Sequence, residues 1–371
     1  MQHRSIYTIP NLPPSVPLET LPIYKALAEA KAGLAELKGV ATAIPNQGIL
    51  IDTLALQEAK ASSEIENIVT TQDDLFRSQI DSDHPLSGPV KEVALYRDAM
   101  KLGWDDLLKT DGIITNRSLI EQYRLLKGRD DGFRDRPGTV LKRAGDDIVY
   151  VPPQGPENVL KHMTALERFI NDDEASPLDP LIKMAIIHHQ FESIHPFFDG
   201  NGRVGRMLSV LYLCRVELLD TPILYLSRAI NARKDDYYRL LQKPREASGQ
   251  ALIDAWEEWV IFILTSVAQT AQTTIGLVRS IRDQMATRKR DIRDGALSKI
   301  YSQDLLNNLF RHPYTRVDYV QTELGVSRPT ATKYLDSLAQ EGLVQKIRQG
   351  RNNYYVNEEL VGLFMSMSKD E

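Results

Sequence analysis

The twelve residues HPFFDGNGRVGR, at positions 195–206, bring together an imidazole, a carboxylate, an amide, three glycines and two arginines. The glycines permit positive φ angles and let the backbone approach a ligand closely. A helix that starts near Gly202 would point unpaired N–H groups at this bend, and such helix starts bind anions. Arg203 and Arg206 share a face of its first turn, where guanidinium groups can bind phosphate through two hydrogen bonds. The stretch therefore predicts a phosphate site.

Two other side chains of this stretch suit chemistry at phosphorus. Mg²⁺ is commonly bound by one or two carboxylates together with substrate phosphates, and Asp199 offers such a carboxylate. Pro196 ends the preceding helical pattern, so His195 lies at the mouth of a loop. There its imidazole could accept a proton from a hydroxyl that attacks phosphorus. The combination predicts phosphoryl or nucleotidyl transfer.

The surrounding chain predicts a mainly α protein with a small β-hairpin. Apolar residues recur with helical spacing over most of residues 21–295. The exception is a β-hairpin built from Thr139–Leu141 and Ile148–Val151 around the turn signal AGDD. From about residue 299 a helix, a helix-turn-helix and a basic hairpin around Gly350 follow each other, which is the winged-helix pattern.

Composition sets broad limits on function. The 371 residues carry a net charge of −5, so attraction to nucleic acid or to a membrane surface must be local. The single cysteine, Cys214, lies in an apolar run and reads as a buried small residue. No stretch appears long enough to span a membrane, so we expect no membrane partner and a cytoplasmic location.

The stretch at 195–206 resembles the signature of the Fic family, His-x-Phe-x-Asp/Glu-Gly-Asn-Gly-Arg-x-x-Arg, and matches it at every defined position. The segments HHQFESI, GFR…TV…YVPP and DDYYRLL, followed by WEEWVIFIL, resemble the family core over roughly residues 110–270. The resemblance implies a helical protein that transfers AMP from ATP, with Mg²⁺, to a Ser, Thr or Tyr hydroxyl of a protein. Candidate targets are other proteins and the chain itself.

The resemblance also implies roles for individual residues. His195 would be the catalytic base and Asp199 the metal ligand. A hairpin flap, including Thr139, Val140 and Leu141, would dock the target by strand pairing. The nucleotide would be held by Gly200, Asn201, Gly202, Arg203, Val204, Gly205, Arg206 and Tyr237. The aromatic pair Tyr237 and Tyr238 fits either an adenine wall or the core.

A second segment, SSEIEN at 62–67, resembles the inhibitory motif of the family, Ser/Thr-x-x-x-Glu-Gly/Asn. Ser62, Glu66 and Asn67 match it, on a helix over about 52–68. Glu66 would pair with Arg206 and displace the γ-phosphate, which leaves the α-phosphorus badly placed for attack. In some relatives the same Glu positions water for AMP removal, and the sequence does not separate these two roles.

These features predict four regions: a helical N-terminal region over 1–109, a Fic core over 110–270, a connector over 271–298 and a winged helix over 299–371. The winged helix would contact DNA or protein, or support a homodimer. Its candidate DNA contacts are Arg328, Thr330, Lys333, Arg348 and Arg351.

Two other functions remain as alternatives. One is a DNA-binding regulator whose Fic core senses nucleotide, although a sensor would not need the base His195. The other is a metal hydrolase that uses His188, His189 and His195. Adjacent histidines on a helix face different ways, so we interpret His188 and His189 as structural.

Overall fold

The computed structural model describes residues 7–71, 75, 88–142, 147–174, 176–349 and 352–367. The fold is mainly helical, as predicted. Its N-terminal and central helices are α1 (Leu21–Ala41), α2 (Gln47–Ile65), α3 (Gly88–Lys109), α4 (Asn116–Lys127), α5 (Pro156–Asn171), α6 (Pro180–Ile194), α7 (Asn201–Arg215), α8 (Leu226–Asn231), α9 (Lys234–Glu246) and α10 (Gln250–Asp294).

The predicted hairpin is present between α4 and α5. Strand β1 (Leu141–Lys142) pairs antiparallel with β2 (Ile148–Tyr150), with a register irregularity within β1. The strands are shorter than the sequence suggested. The turn residues 143–146 lie outside the described part of the chain.

Helix α10 is the central helix of the fold. It packs along α1 so closely that a Cβ at Gly33 would lie 3.1 Å from Cβ of Ala271. The expectation that no stretch could span a membrane was wrong by length and composition, because an 18-residue window of α10 has a mean hydropathy of 1.4. Of that window 61% is buried inside the protein. A buried apolar helix of this kind is also what a protein core requires.

The C-terminal region contains the predicted helix, helix-turn-helix and hairpin, together with a short strand and a final helix that were not predicted. A short 3₁₀ turn (Ser298–Ile300) leads into α11 (Gln303–Arg311), β3 (Tyr314–Thr315), α12 (Val317–Leu324), α13 (Arg328–Gln340), β4 (Gln345–Gln349), β5 (Asn352–Val356) and α14 (Glu358–Met367). The strands form one antiparallel sheet in the order β3-β5-β4. Helix α13 starts at an N-cap, Ser327, whose hydroxyl accepts a hydrogen bond from the Thr330 N–H.

An ion cluster on α2 joins this C-terminal region to the N-terminal helices. Nε of Arg311 donates to Asp52 at 2.5 Å, and Lys101 of α3 contacts the same carboxylate. Burial alone would raise the pKa of Asp52, but Lys101 and Arg311 together lower it below its ordinary value. Helix α2 is therefore fixed at its first turns by charges from two other elements.

We expect Asp52→Asn to lower the free energy of unfolding at pH 7 by about 1–2 kcal/mol, because it leaves two partly exposed cations without a counter-charge. The folded-state pKa lies below the unfolded one, so this stabilisation is present above about pH 4 and is lost as the pH falls through the folded-state pKa. Urea unfolding of both proteins at several pH values tests this. An equal difference at pH 7 and pH 3 would contradict the ionic origin.

Candidate active site

His195 lies at the end of α6 in a left-handed conformation, with φ at 51°. Positive φ is uncommon outside glycine, although asparagine, aspartate and histidine adopt it more often than other residues, and here neighbouring groups fix it. The buried Arg134 does so, since its Nε donates to the His195 carbonyl at 2.8 Å and its Nη2 to the Ile194 carbonyl at 3.2 Å. The Arg134 N–H also donates to the Pro196 carbonyl at 2.8 Å. One residue, through its side chain and its backbone N–H, thus fixes the backbone on both sides of the imidazole.

The His195 imidazole is half-buried in a cavity wall. Desolvation, together with the charges of Arg245 and Arg134, lowers its pKa to about 3. At neutral pH the ring is therefore uncharged and has a lone pair to accept a proton. This is the protonation state that a base requires.

The loop after His195 is shaped by Phe197 and Asn201. Phe197 is fully buried and stacks on Tyr123 with a centroid distance of 4.0 Å, whereas Phe198 is exposed. The Asn201 side chain accepts from the Phe197 N–H and donates to the Phe197 carbonyl, both at 2.8 Å. Its amide therefore holds the loop closed, while Gly200 turns the chain into α7 at a φ of 74°.

Arg203 and Arg206 lie on the first turns of α7, and each side chain is only 1% exposed. Val204 between them packs into the core, which orients the turn. Glycines make room around the arginines, because a Cβ at Gly202 would lie 2.8 Å from Nη1 of Arg206. At Gly205 a Cβ would lie 2.7 Å from a Glu192 carboxylate oxygen. The helix start thus presents two guanidinium groups and free N–H groups in one place.

Glu66 contacts both arginines. Its Oε1 accepts from Nη2 of Arg206 at 3.1 Å, and its Oε2 lies 2.8 Å from Nε of Arg203, an ion pair without hydrogen-bond alignment. The Ser62 hydroxyl, one turn earlier, accepts a hydrogen bond from Nε of Arg206 at 2.8 Å. The Ser62 carbonyl accepts another from Nη2 of Arg206 at 2.9 Å. Burial disfavours the Arg206 charge, but the Glu66 carboxylate raises the pKa of Arg206 above its ordinary value.

Asn67 explains how Glu66 reaches this position. It has a φ of 63°, a left-handed conformation that asparagine tolerates and that ends a helix. Its Oδ1 accepts from Nζ of Lys234 at 2.9 Å. Helix α2 therefore stops at the point where the side chain of Glu66 meets the start of α7.

Asp199 lies beside the arginines with its side chain 58% exposed. Partial burial would raise its pKa, but Lys127, at 2.7 Å from Oδ2, and the Gly200 N–H, at 2.6 Å from Oδ1, lower it. The carboxylate is therefore ionised and open to solvent. In the described part of the chain, no group of three or more His, Cys, Asp or Glu residues is arranged to hold a metal by itself.

These groups line one cavity of about 900 Å³, a volume typical of ligand sites. Val140 and Leu141 of the flap form part of its edge, whereas Thr139 lies beyond it and its carbonyl accepts from Gln154 at 3.0 Å. Tyr237 forms part of the cavity floor, is 1% exposed and hydrogen-bonds His188 at 2.9 Å. Tyr238 is 46% exposed at the wall. The structure thus gives the neighbouring tyrosines different environments.

The other histidines of α6 have structural partners, as the sequence interpretation held. Nδ1 of His188 lies 3.1 Å from the Ser209 hydroxyl, and Nε2 of His189 lies 3.1 Å from the Leu241 carbonyl. Burial lowers the pKa of His188 to about 3 and that of His189 also well below its ordinary value. Both rings belong to the aromatic core around Trp259.

The candidate DNA contacts lie in the C-terminal region, on or near α13 and the β4–β5 hairpin. Arg328, Lys333 and Arg348 are exposed, and Thr330 is half-buried beside Ser327. Arg351 lies outside the described residues.

Three family models match the chain. The model of the Fic/DOC family N-terminal region matches residues 24–105, and that of the Fic/DOC family matches 110–213. A third model, the C-terminal domain of SoFic-like protein adenylyltransferases, matches residues 285–360. The chain belongs to the Fic/DOC family. The matched ranges include both the Glu66 segment and the whole stretch at 195–206.

Relatives and solved structures agree with this assignment. The Fic chain is 34% identical over 105 residues to the protein adenylyltransferase Fic of Drosophila yakuba, and 39% over 70 residues to fic-1 of Caenorhabditis briggsae. These matches cover 28% and 18% of the chain, and 20% and 14% of the relatives' lengths. A Fic family protein from Desulfovibrio desulfuricans has a TM-score of 0.56 at 23% identity, covering 91% of this chain and 96% of that one. A Fic-1 fragment from C. elegans has a TM-score of 0.51 at 19% identity, covering 69% and 73%. These structures establish the fold.

Sequence reasoning missed the residues that support the Fic site. Arg134 occurs in the segment GFR, but Arg129 and Arg136 lie close by, so the sequence did not single it out. Glu92 and Lys127, which also line the cavity, lie in ordinary helical patterns and gave no signal. Arg245, whose guanidinium lies 4.1 Å from the centroid of the Tyr150 ring, likewise resembles a surface charge in the sequence.

We expect the His195 ring to remain neutral from pH 8 down to about pH 5, because its pKa lies near 3 in the folded protein. Histidine-labelled NMR measures this, with His195→Ala as the assignment control. A His195 signal that titrates near pH 6.5 would contradict the desolvated environment. Because folding disfavours the protonated ring, this residue costs stability progressively as the pH falls below about 6.5.

Proposed function

We propose that this Fic protein is a protein adenylyltransferase that moves AMP from ATP to a Ser, Thr or Tyr hydroxyl of a protein. The observation that carries the proposal is the neutral His195 imidazole in one cavity with Arg203, Arg206 and the start of α7. The names of the relatives, protein adenylyltransferase Fic and fic-1, support it. So does the match to the C-terminal domain of SoFic-like adenylyltransferases.

In this mechanism the target oxygen attacks the α-phosphorus as His195 accepts the hydroxyl proton. The bond between the α-phosphorus and the bridging oxygen breaks, and pyrophosphate leaves with the electron pair. Arg203 and Arg206 hold the two leaving phosphates, and N–H groups at the start of α7, which Asn201 helps to shape, hold the α-phosphate. Arg134 keeps the imidazole in position without touching the substrate.

Asp199 is the residue that would hold Mg²⁺. Its ionised, exposed carboxylate fits an ion that binds one or two protein carboxylates together with substrate phosphates. When bound, the ion would offset charge on the phosphates. Lys127, which now contacts Asp199, would have to turn aside.

The exposed side chains of the cavity indicate where the adenine ring and the target segment would lie. Tyr238, the more exposed tyrosine, fits the adenine wall better than Tyr237, which supports the site from below. The target would pair with the flap edge at Val140 and Leu141 and rest on the exposed side chains of Ile148 and Phe198. An extended target segment would place its hydroxyl beside His195.

Glu66 would act as a brake in this enzyme. Its carboxylate uses the donors of Arg206 that a γ-phosphate needs, so ATP would bind with its α-phosphorus out of line. The contacts of Ser62 and Glu66 with Arg206, and the helix end at Asn67, support this role.

We expect Glu66→Gly to raise AMP transfer by about 10- to 100-fold, since misplacement of the reacting atoms costs rates of that order. The assay measures label transfer from ATP labelled on the α-phosphorus to proteins of a lysate and to the enzyme itself. Glu64→Gly is the matched control, because it also places a glycine at the end of α2 but removes contacts with Lys60 and Asn231 instead.

His195→Ala in the Glu66→Gly background should abolish the transfer. Label carried over from γ-labelled ATP would instead indicate a kinase. If Glu66→Gly bound ATP normally and showed no gain, the brake would be rejected. Release of AMP from a modified protein, without transfer in any variant, would replace the proposal with AMP removal.

The C-terminal region would be a winged helix that contacts duplex DNA. The exposed cations Arg328, Lys333 and Arg348 support this assignment. We expect salt-sensitive binding to a mixed duplex that Lys333→Gln weakens while AMP transfer stays unchanged. Absence of wild-type binding at low salt would reject the DNA contact and favour a protein partner.

A further inference from the structure

Arg203 is held by two carboxylates from different helices. Glu66 at the end of α2 contacts its Nε, while Glu92 of α3 accepts from its Nη1 at 2.5 Å. The guanidinium is 1% exposed, so these contacts replace the water that it would otherwise bind. The inhibitory motif in the sequence accounts for only one of them.

Glu92 also connects to the predicted metal ligand. Its Oε2 lies 3.8 Å from Nζ of Lys127, which in turn lies 2.7 Å from Oδ2 of Asp199. Among the residues that the structure describes, Arg203, Arg206 and Lys127 are thereby matched by three linked carboxylates. Phosphate groups that enter the cavity would meet cations whose charges are already paired.

We propose that Glu92 is a second inhibitory carboxylate, which must leave Arg203, as Glu66 must, before that arginine can bind nucleotide phosphates. Helix α3 would then be a second brake, separate from the motif on α2. The expected effect of Glu92 on the rate of AMP transfer rests on the proposed function. Its expected effect on nucleotide binding does not.

The surroundings of Glu92 distinguish a displaceable group from a structural one. Its side chain is 34% exposed and forms part of the cavity wall, so it can turn into solvent without disturbing the core. Its neighbours Val90 and Val93 hold α3 against the core instead. A structural carboxylate differs: Glu58 of α2 is 3% exposed and accepts from the Ser227 N–H at 3.0 Å.

Glu92→Gln tests the proposal because it removes the charge and keeps the shape. It is made alone and together with Glu66→Gly, with Asp98→Asn as the matched control. Asp98 lies on the same helix and bonds to Arg97. Affinity for ATP with Mg²⁺ is measured by calorimetry, and AMP transfer by α-label. Thermal unfolding verifies that each variant is folded, and Glu92→Ala is a second variant if the amide re-pairs with Arg203.

We expect Glu92→Gln to tighten ATP binding at least about fivefold, at the low end of coupling between distinct groups. The double variant should exceed Glu66→Gly in AMP transfer by a similar factor, and Asp98→Asn should match the wild type. Equal ATP affinities of the wild type and Glu92→Gln would overturn the proposal. Weaker binding by both Glu92→Gln and Glu92→Ala would also overturn it, because Glu92 would then position Arg203 for phosphate. Tighter ATP binding without transfer in any variant would support the role of Glu92 and reject adenylyl transfer instead.

Discussion

The structure depends on how two buried guanidinium groups are neutralised. Arg203 and Arg206 lie on the first turns of α7, where the helix dipole is also positive, so the site strongly favours anions. A nucleotide would supply them, and in this structure Glu66 and Glu92 do. The same charge that would bind phosphate therefore draws the chain's own carboxylates into the site. The stability of the empty site and the proposed restraint of activity come from one set of contacts.

Helix α2 links this site to the rest of the molecule. Asp52 near its start binds Arg311 of the C-terminal region, and Glu58 in its middle binds Ser227 at the start of α8. Ser62 and Glu66 at its end bind Arg206. Because these residues share one rigid element, a change at the Arg311 contact acts on the same helix that places Glu66. The position of Glu66 thus depends on contacts along all of α2.

The sequence predicted that His195, Asp199, Arg203 and Arg206 lie together, because a contiguous motif keeps its residues close in any fold, and the family resemblance predicted that Glu66 contacts Arg206. Ser62, Glu66 and Arg206 meet as expected, and Phe197 is the anchor of the loop. Contacts made by residues outside the recognised motifs could not be predicted in this way. Arg134 reaches His195 across 61 positions and Glu92 reaches Arg203 across 111. The sequence around Arg134 or Glu92 gives no indication of the partner of either residue.

Tyr237 and Tyr238 show a second limit of sequence reasoning. Neighbouring residues on a helix point about 100° apart, so one of them faces the core. Tyr237 is the one that faces the core, because it packs against Trp259 of α10 and His188 of α6. Which aromatic side chain meets a ligand is therefore a property of tertiary packing.

Removing either Glu66 or Glu92 leaves a buried guanidinium with less counter-charge, and an uncompensated buried charge is costly. Greater access of nucleotide is thus coupled to a less stable empty site. Bound phosphates reverse this cost, because they supply the missing negative charge and stabilise the folded state by an amount that grows with the ratio of ligand concentration to Kd. Two carboxylates on separate helices divide the cost, so either one can leave while the other still partly neutralises Arg203. The arrangement therefore permits graded release of the site, which a single carboxylate would not.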